Sequence, residues 1–327
     1  MRIEFSGDGI HLPDLDLWLD PRSECRRAWI SHAHRDHAGA VHQEVFGTAE
    51  TLEFYRLRHE GALENSTLHA VPYGQSWELA GARLTAYPAA HILGAAQLLV
   101  EWRGERLLYT GDIKLRSPLC GRSTEIVRAD RLIIESTFGL PVFHFLDREP
   151  ARDRIVSFAR QCLEEDRVPV FVGHELGRGQ EIAHVLGQAG VPFQAHPAIA
   201  QYLPAYAAAG FPAPGWSLYE GDVPSGAALI LPPRLRPALT TGNRRVRVAY
   251  VSGWAALDNA RARTGAEELI PYSDHADFEE LMALVKAVGA EEVDVVHGYA
   301  EAFARILTLR GWLARAPQRA RLEQRNG

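Results

Sequence analysis

The sequence is nearly without lysine. Of its 35 basic residues only Lys114 and Lys286 are lysines, which leaves 33 arginines. A GC-rich genome accounts for the bias, and its chemical consequence is that any bound phosphate would meet guanidinium forks. Cysteine is almost as scarce. Cys25, Cys120 and Cys162 are widely spaced and form no C-x-x-C pair, which argues against a disulfide framework and a cysteine zinc site. No run of about 18 apolar residues occurs, and no charged-then-apolar leader opens the chain. A cytoplasmic protein with no membrane partner is therefore expected. An excess of positive charge is missing too: 41 acidic residues against 35 basic ones give a net charge of −6. Nucleic acid would have to be held by a local patch or by bound cations.

What is present has the texture of a globular α/β protein. Its 327 residues, 46% hydrophobic and 23% charged, allow two domains or one domain carrying an insertion. Between Trp18 and Ile134, short apolar runs alternate with polar turns: "AWISH" (28–32), "RLTAYPA" (83–89), "AQLLVEW" (96–102), "RLLYTGD" (106–112) and "RLIIEST" (131–137). These read as strands, each ending in a polar residue. Helical spacing appears over 48–59, with Thr48 as its N-cap. After about residue 148 the texture changes. A helix over 151–165 leads to the buried-type strand "VPVFVG" (168–173), a helix near 177–189 and the strand "AALILPP" (227–233). Strands at 245–253 and 292–298 and helices near 276–288 and 300–315 close the chain. The reading is a β-rich α/β domain over 1–148 and 245–327, interrupted by a small α/β insertion over 149–244.

Chemistry concentrates in "SHAHRDHAGA" (31–40), where three histidines and an aspartate share seven positions. In a tight turn after a strand, His32 and His34 can face one way while Asp36 and His37 face the other. That split suits two metal ions, and a carboxylate able to touch both is then needed; Asp112 in "YTGDIK" is the candidate. Asp20, His91 and His297 also sit where apolar strands end, the position at which a sheet edge collects ligands. A lone histidine is more often a hydrogen-bonded structural residue, and His59, His69, His144, His184 and His196 are read in that way. Arg35, between the ligands, is expected to point away from the metals.

Together these residues resemble the metallo-β-lactamase superfamily of αββα folds. "IIESTFG" (133–139), "YSDHADF" (272–278) and "VVHGY" (295–299) resemble the three further motifs of its β-CASP nucleases. "GHELGRGQEI" (173–182) resembles the start of the second helix of the inserted β-CASP domain. The short insertion and overall length look most like bacterial exonucleases that accompany DNA ligase and helicase genes. The resemblance implies that His32, His34 and His91 hold one ion and Asp36, His37 and His297 the other, bridged by Asp112. Zn²⁺ is the expected ion and Mn²⁺ the alternative. Asp20 would orient the histidine loop without binding metal. His275 would stand near the leaving group, with Glu135 hydrogen-bonded to it; these two and Asp36 form the expected catalytic set.

Two cations lower the pKa of the attacking water, and departure of a 3′-oxygen needs a proton that His275 can give. A lactamase or a thioester hydrolase needs no such His–Glu pair, which favours phosphodiester cleavage. Arg178, Ser252 and Ser273 are the candidate phosphate contacts. The C-terminal stretch from Arg305 to Arg325 carries six arginines and reads as a solvated helix face and tail, with an auxiliary polyanion contact as the other reading. The expected activity is a DNA exonuclease in repair acting on single-stranded DNA. RNA processing is the rival, because RNA-cleaving members carry His at the place of His297. A small-molecule esterase and an inactive binding subunit are the remaining alternatives.

Overall fold

The computed structural model describes residues 1–222, 226–235 and 245–317. The arginine-rich tail read from the sequence lies outside these residues from position 318 onward. The chain divides into two compact units. One comprises Met1–Leu115, Arg122–Pro141 and His275–Gly327; the other comprises Arg116–Gly121 and Val142–Asp274. The fold is mixed α/β with several sheets.

The first unit contains two sheets. Six strands pair in chain order: Glu4–Ser6, Gly9–Leu12, Leu17–Leu19, Arg27–Trp29, Glu44–Gly47 and Thr67–Ala70. The second sheet has seven, in the spatial order Leu313–Arg315, Glu292–Val296, Arg131–Glu135, Glu105–Tyr109, Ala96–Trp102, Ala82–Pro88 and Ser76–Leu79. One core joins them: Ile10, Leu19, Trp29 and Phe46 from the first sheet meet Leu84, Leu98, Leu107, Ile133 and Val296 from the second. Helix Ala49–Arg58 covers the first sheet with Leu52 and Tyr55 against Ala28, Ile30 and Val45. Its N-cap is Thr48, whose Oγ1 accepts the Thr51 amide. Helix Ala300–Leu309 packs on strands Glu292–Val296 and Leu313–Arg315, and its Phe303 meets Phe278 of helix Phe278–Val288 edge-on.

Strand direction then decides where the polar strand ends go. Leu17–Leu19 and Arg27–Trp29 run parallel. In the larger sheet, Ala82–Pro88 and Glu105–Tyr109 are each antiparallel to Ala96–Trp102 and so run the same way. Arg131–Glu135 and Glu292–Val296 share that direction. Four C-terminal strand ends therefore line one edge of this sheet, and they lead into His91, Asp112, Glu135 and His297.

The second unit holds a six-stranded sheet in which every pairing is parallel. Its central strands Val168–Val172 and Ala228–Leu231 are buried on both faces, which explains their unbroken apolar runs. Phe171, Ile230 and Val251 pack under helices Arg148–Glu164 and Arg178–Gln188, while Val170, Leu229 and Val248 form a core on the other face.

The chain's last element differs from the sequence reading. The helix expected to continue to 315 stops at Leu309; Gly311 turns the chain with φ 97°, and Leu313–Arg315 joins the sheet edge as a strand. Three residues are too few for a period to register. Among the described residues, no helix is long and apolar enough to cross a membrane.

Candidate metal centre

Every candidate ligand falls in the first unit. His32 follows strand Arg27–Trp29, and a turn in which the His37 and Ala38 amides donate to the His34 carbonyl places the next three polar side chains. The remaining strand ends turn sharply into the site. Asp20 (φ 44°), Ala90 (φ 53°), Gly111 (φ 55°), His297 (φ 59°) and Gly298 (φ 53°) are all left-handed. For the non-glycine residues this conformation costs about 1–3 kcal/mol each and persists only where the surroundings impose it. Gly298 has no alternative, since a Cβ there would lie 2.3 Å from the Thr137 Cα and 2.4 Å from the Ser136 carbonyl oxygen.

Among the donor groups that result, each gathered within 4.8 Å, are His32, His34, His91 and Asp112, then His37, Asp112 and His297, and a third of Asp112, Glu135 and His275. Asp112 Oδ2 lies 3.5 Å from His32 Nε2, 3.5 Å from His37 Nε2 and 3.7 Å from His91 Nε2. His34 Nδ1 and His91 Nε2 face each other at 3.1 Å. A tetrahedral ion with bonds of about 2.0–2.1 Å separates its donor atoms by about 3.3–3.4 Å, so these spacings fit a first-row divalent ion. The buried atoms His32 Nε2, His37 Nε2 and Asp112 Oδ1 have no hydrogen-bond partner within the protein. Such atoms are costly unless something else satisfies them, and a nitrogen–oxygen donor set of this kind suits a divalent cation. Asp36 sits at the rim with its side chain 63% exposed and its Oδ2 3.6 Å from His37 Nε2.

Asp20 is buried and touches the centre through others. Its Oδ2 meets His37 Nδ1 at 2.7 Å and accepts hydrogen bonds from Tyr109 Oη at 2.7 Å and Ser31 Oγ at 2.6 Å; Oδ1 accepts the Ser31 amide. Occupying His37 Nδ1 in this way leaves Nε2 to face Asp112. Ser31 and Tyr109 escaped the sequence reading, because a serine and a tyrosine beside apolar strand residues carry no motif of their own.

Electrostatics follow from this crowding. Burial pushes the His32 imidazolium well below its ordinary value, and the neighbouring histidines add to the effect, so the ring is neutral and fit to be a ligand. Burial also works against a charged His37, but Asp112, Asp36 and Asp20 together raise it to about 10. His37, His34 and His297 hold the Asp36 carboxyl low.

Beside the histidines lies a second device. His275 Nδ1 is 2.9 Å and 3.1 Å from the two carboxylate oxygens of Glu135, and 3.9 Å from Asp112 Oδ2. Glu135 is fully buried and also accepts the Ile113 and Thr137 amides. Burial would raise its carboxyl, but His275 and these donors keep it low, so it is the anionic end of the pair. The Ala276 amide donates to the Ile113 carbonyl, fixing the loop that carries His275.

Arg178, Ser252 and Ser273 belong to the second unit. Arg178 is buried there, ion-paired with Glu181 and Asp274, with its guanidinium over the Tyr272 ring. Ser273 is buried, and Ser252 caps a 3₁₀ turn by accepting the Trp254 amide. Arg35 is exposed. The bland histidines have protein partners: His59 meets the Ala38 carbonyl, His184 the Pro212 carbonyl and His196 the Ala198 amide, while His69 stacks on Phe46. His144 is exposed.

No protein-family model matches the chain. A protein of Opitutus terrae named probable DNA ligase is 36% identical over 318 residues, covering 94% of this chain and 30% of that protein. Subunit 3 of the cleavage and polyadenylation specificity factor of Dictyostelium discoideum is 32% identical over 212 residues, covering 54% of this chain and 25% of its own length. An RNase J-like protein of Methanocaldococcus jannaschii is 32% identical over 187 residues, covering 48% of this chain and 42% of its own length. The chain thus matches less than half the length of each. A solved structure of a protein of unknown function from Enterococcus faecalis shares the fold, with a TM-score of 0.57, 12% identity and coverage of 83% of this chain and 75% of that one.

Proposed function

Since the chain belongs to the β-CASP group of the metallo-β-lactamase superfamily, we propose that it is a metal-dependent nuclease that hydrolyses phosphodiester bonds, acting as a DNA exonuclease in repair. The observation that carries this reading is the Glu135–His275 pair set against Asp112 at 3.9 Å. A hydrolase with a good leaving group has no use for it.

His32, His34 and His91 would hold one ion, and Asp36, His37 and His297 the other, with Asp112 touching both. Zn²⁺ is the proposed ion, with Mn²⁺ as the alternative. When bound, the ions supply Lewis-acid activation of water and neutralise charge on the phosphoryl oxygens. The protein does the rest. Asp20 holds His37 in the tautomer that presents Nε2. Glu135 holds His275 by Nδ1, which assigns Nε2 to the leaving oxygen. As a cation, His275 gives its proton to the departing 3′-oxygen, and buried Glu135 stabilises the charged form until it does.

The proposed β-CASP insertion, residues 149–244, lies within the second unit. Arg178 in the insertion and Ser252 and Ser273 after it are the proposed phosphate contacts, with Arg178 needing to exchange one of its carboxylate partners to serve. Single-stranded DNA is the proposed substrate, in the cytoplasm, with a DNA ligase and a helicase as functional partners. The name of the Opitutus relative supports the DNA side of this reading. RNA processing is the second reading, favoured by His297 in the outer ligand group and by the names of the Dictyostelium and Methanocaldococcus relatives. Digestion of matched end-labelled DNA and RNA strands, each end blocked in turn, separates the two in Zn²⁺ or Mn²⁺. Shortening of DNA from one free end is expected. Failure to cut either polymer while small esters are cleaved would sink the nuclease reading.

A further inference from the structure

Two ligand histidines from different halves of the centre lead back to one buried carboxylate. His37 Nδ1 reaches Asp20 Oδ2 directly at 2.7 Å. His32 reaches it through a serine: its Nδ1 is 3.0 Å from Ser31 Oγ, and Ser31 Oγ donates to Asp20 Oδ2 at 2.6 Å. A hydroxyl has one proton. Because Ser31 gives its proton to Asp20, its oxygen is left to accept from His32 Nδ1–H. With metal bound, both rings would thereby offer the Nε2 lone pair on the side of Asp112, whose Oδ2 lies 3.5 Å from each Nε2. Tyr109 Oη supplies the remaining donor to the same carboxylate oxygen at 2.7 Å. All of these side chains except the tyrosine lie within residues 20–37, yet they serve both donor groups: His32 belongs with His34 and His91, and His37 with His297.

We propose that Ser31 and Tyr109 are positioning residues for the metal centre, Ser31 for the half that contains His32 and Tyr109, through Asp20, for both halves. Hydrogen bonds in a buried chain polarise one another, and the partners behind a ligand imidazole set its orientation and basicity. Ser31 acts on the half that contains His32. Asp20 acts on both halves. Tyr109 acts on both through its share of Asp20 Oδ2. The inference rests on the metal-centre reading above.

The test is metal binding by the full-length, metal-stripped chain, using Co²⁺ as a spectroscopic probe and a chromophoric chelator as competitor. In Ser31→Ala, one of two affinities should fall by about 10–100-fold and the other stay unchanged. In Asp20→Asn, both should fall by about 10–100-fold, with altered Co²⁺ absorption. Tyr109→Phe, which removes one oxygen and keeps the ring, should weaken both by less than Asp20→Asn does. If Ser31→Ala does not fold, Tyr109→Phe decides. Variants that melt earlier but keep both affinities and the Co²⁺ spectrum would reduce the network to a structural brace and overturn the proposal. A wild-type chain that takes up no Co²⁺ would instead remove the metal-centre reading, and this inference with it.

Discussion

The two halves of the metal centre differ in enclosure. In the inner half, His32, His34, His91 and Asp112 are all buried. In the outer half, His37 is buried, but Asp36 has a side chain 63% exposed and His297 holds a left-handed backbone at φ 59°. Six consecutive residues feed both halves, so the contrast arises from what the rest of the fold brings to each. Left-handed turns supply both, through Ala90 before His91 and at His297 itself, but His91 is buried and His297 only partly so. Enclosure raises the cost of leaving donors unsatisfied, so the inner half should hold its ion more tightly and release it to a chelator last.

The change that should erase the contrast is Asp112→Asn, because Asp112 belongs to both groups. Bound metal is expected to fall from two ions to none and hydrolysis to background, as read by elemental analysis alongside the nuclease assay. Next comes His275→Ala, which lies outside both halves. It should cost about 10²–10⁴-fold on nucleic acid, with metal content untouched and little loss on a nitrophenyl phosphodiester, whose leaving group needs no proton. Equal losses on both substrates would assign His275 to the centre itself.

Gly298→Ala strikes the outer half and, through Thr137, the segment that donates to Glu135. Its Cβ would meet Thr137 at 2.3 Å in a left-handed conformation, and overpacking plus that backbone penalty should cost about 2–5 kcal/mol in chemical denaturation. A midpoint equal to the wild type's would mean that the outer loop gives way freely.

The last effect is one of pH. His37 titrates at about 10 in the metal-free fold against 6.5 as its ordinary value, so the folded chain keeps a proton that the unfolded chain releases. Its contribution to stability is complete below pH 6.5 and is lost as pH rises through about 10. Bound metal displaces that proton. Unfolding midpoints measured across this range should therefore decline with rising pH in chelator and show no such decline when metal is present. A decline that metal fails to suppress would take His37 out of the ligand set.

Much of this was legible from the sequence where the signal is local. Thr48 as an N-cap and the strand 96–102 need only neighbouring residues, and both stand as read. The last strand, Leu313–Arg315, was hidden because three residues carry no period and the preceding helix pattern runs into it. Ser31 and Tyr109 were hidden for a different reason: a hydroxyl's role depends on what lies across the fold, 89 residues away in the case of Tyr109 and Asp20.

By itself the sequence determined the donor types, their local spacing in 32–37 and the need for a shared carboxylate, since residue identity and short turns fix these. The tertiary structure decided which donors meet. Parallel strand direction places His91, Asp112, Glu135 and His297 at one sheet edge, and left-handed turns aim them inward. It also decided that one buried aspartate steadies a ligand in each half. Hydrogen-bond partnership is a matter of distance in space, and distance along the chain does not record it.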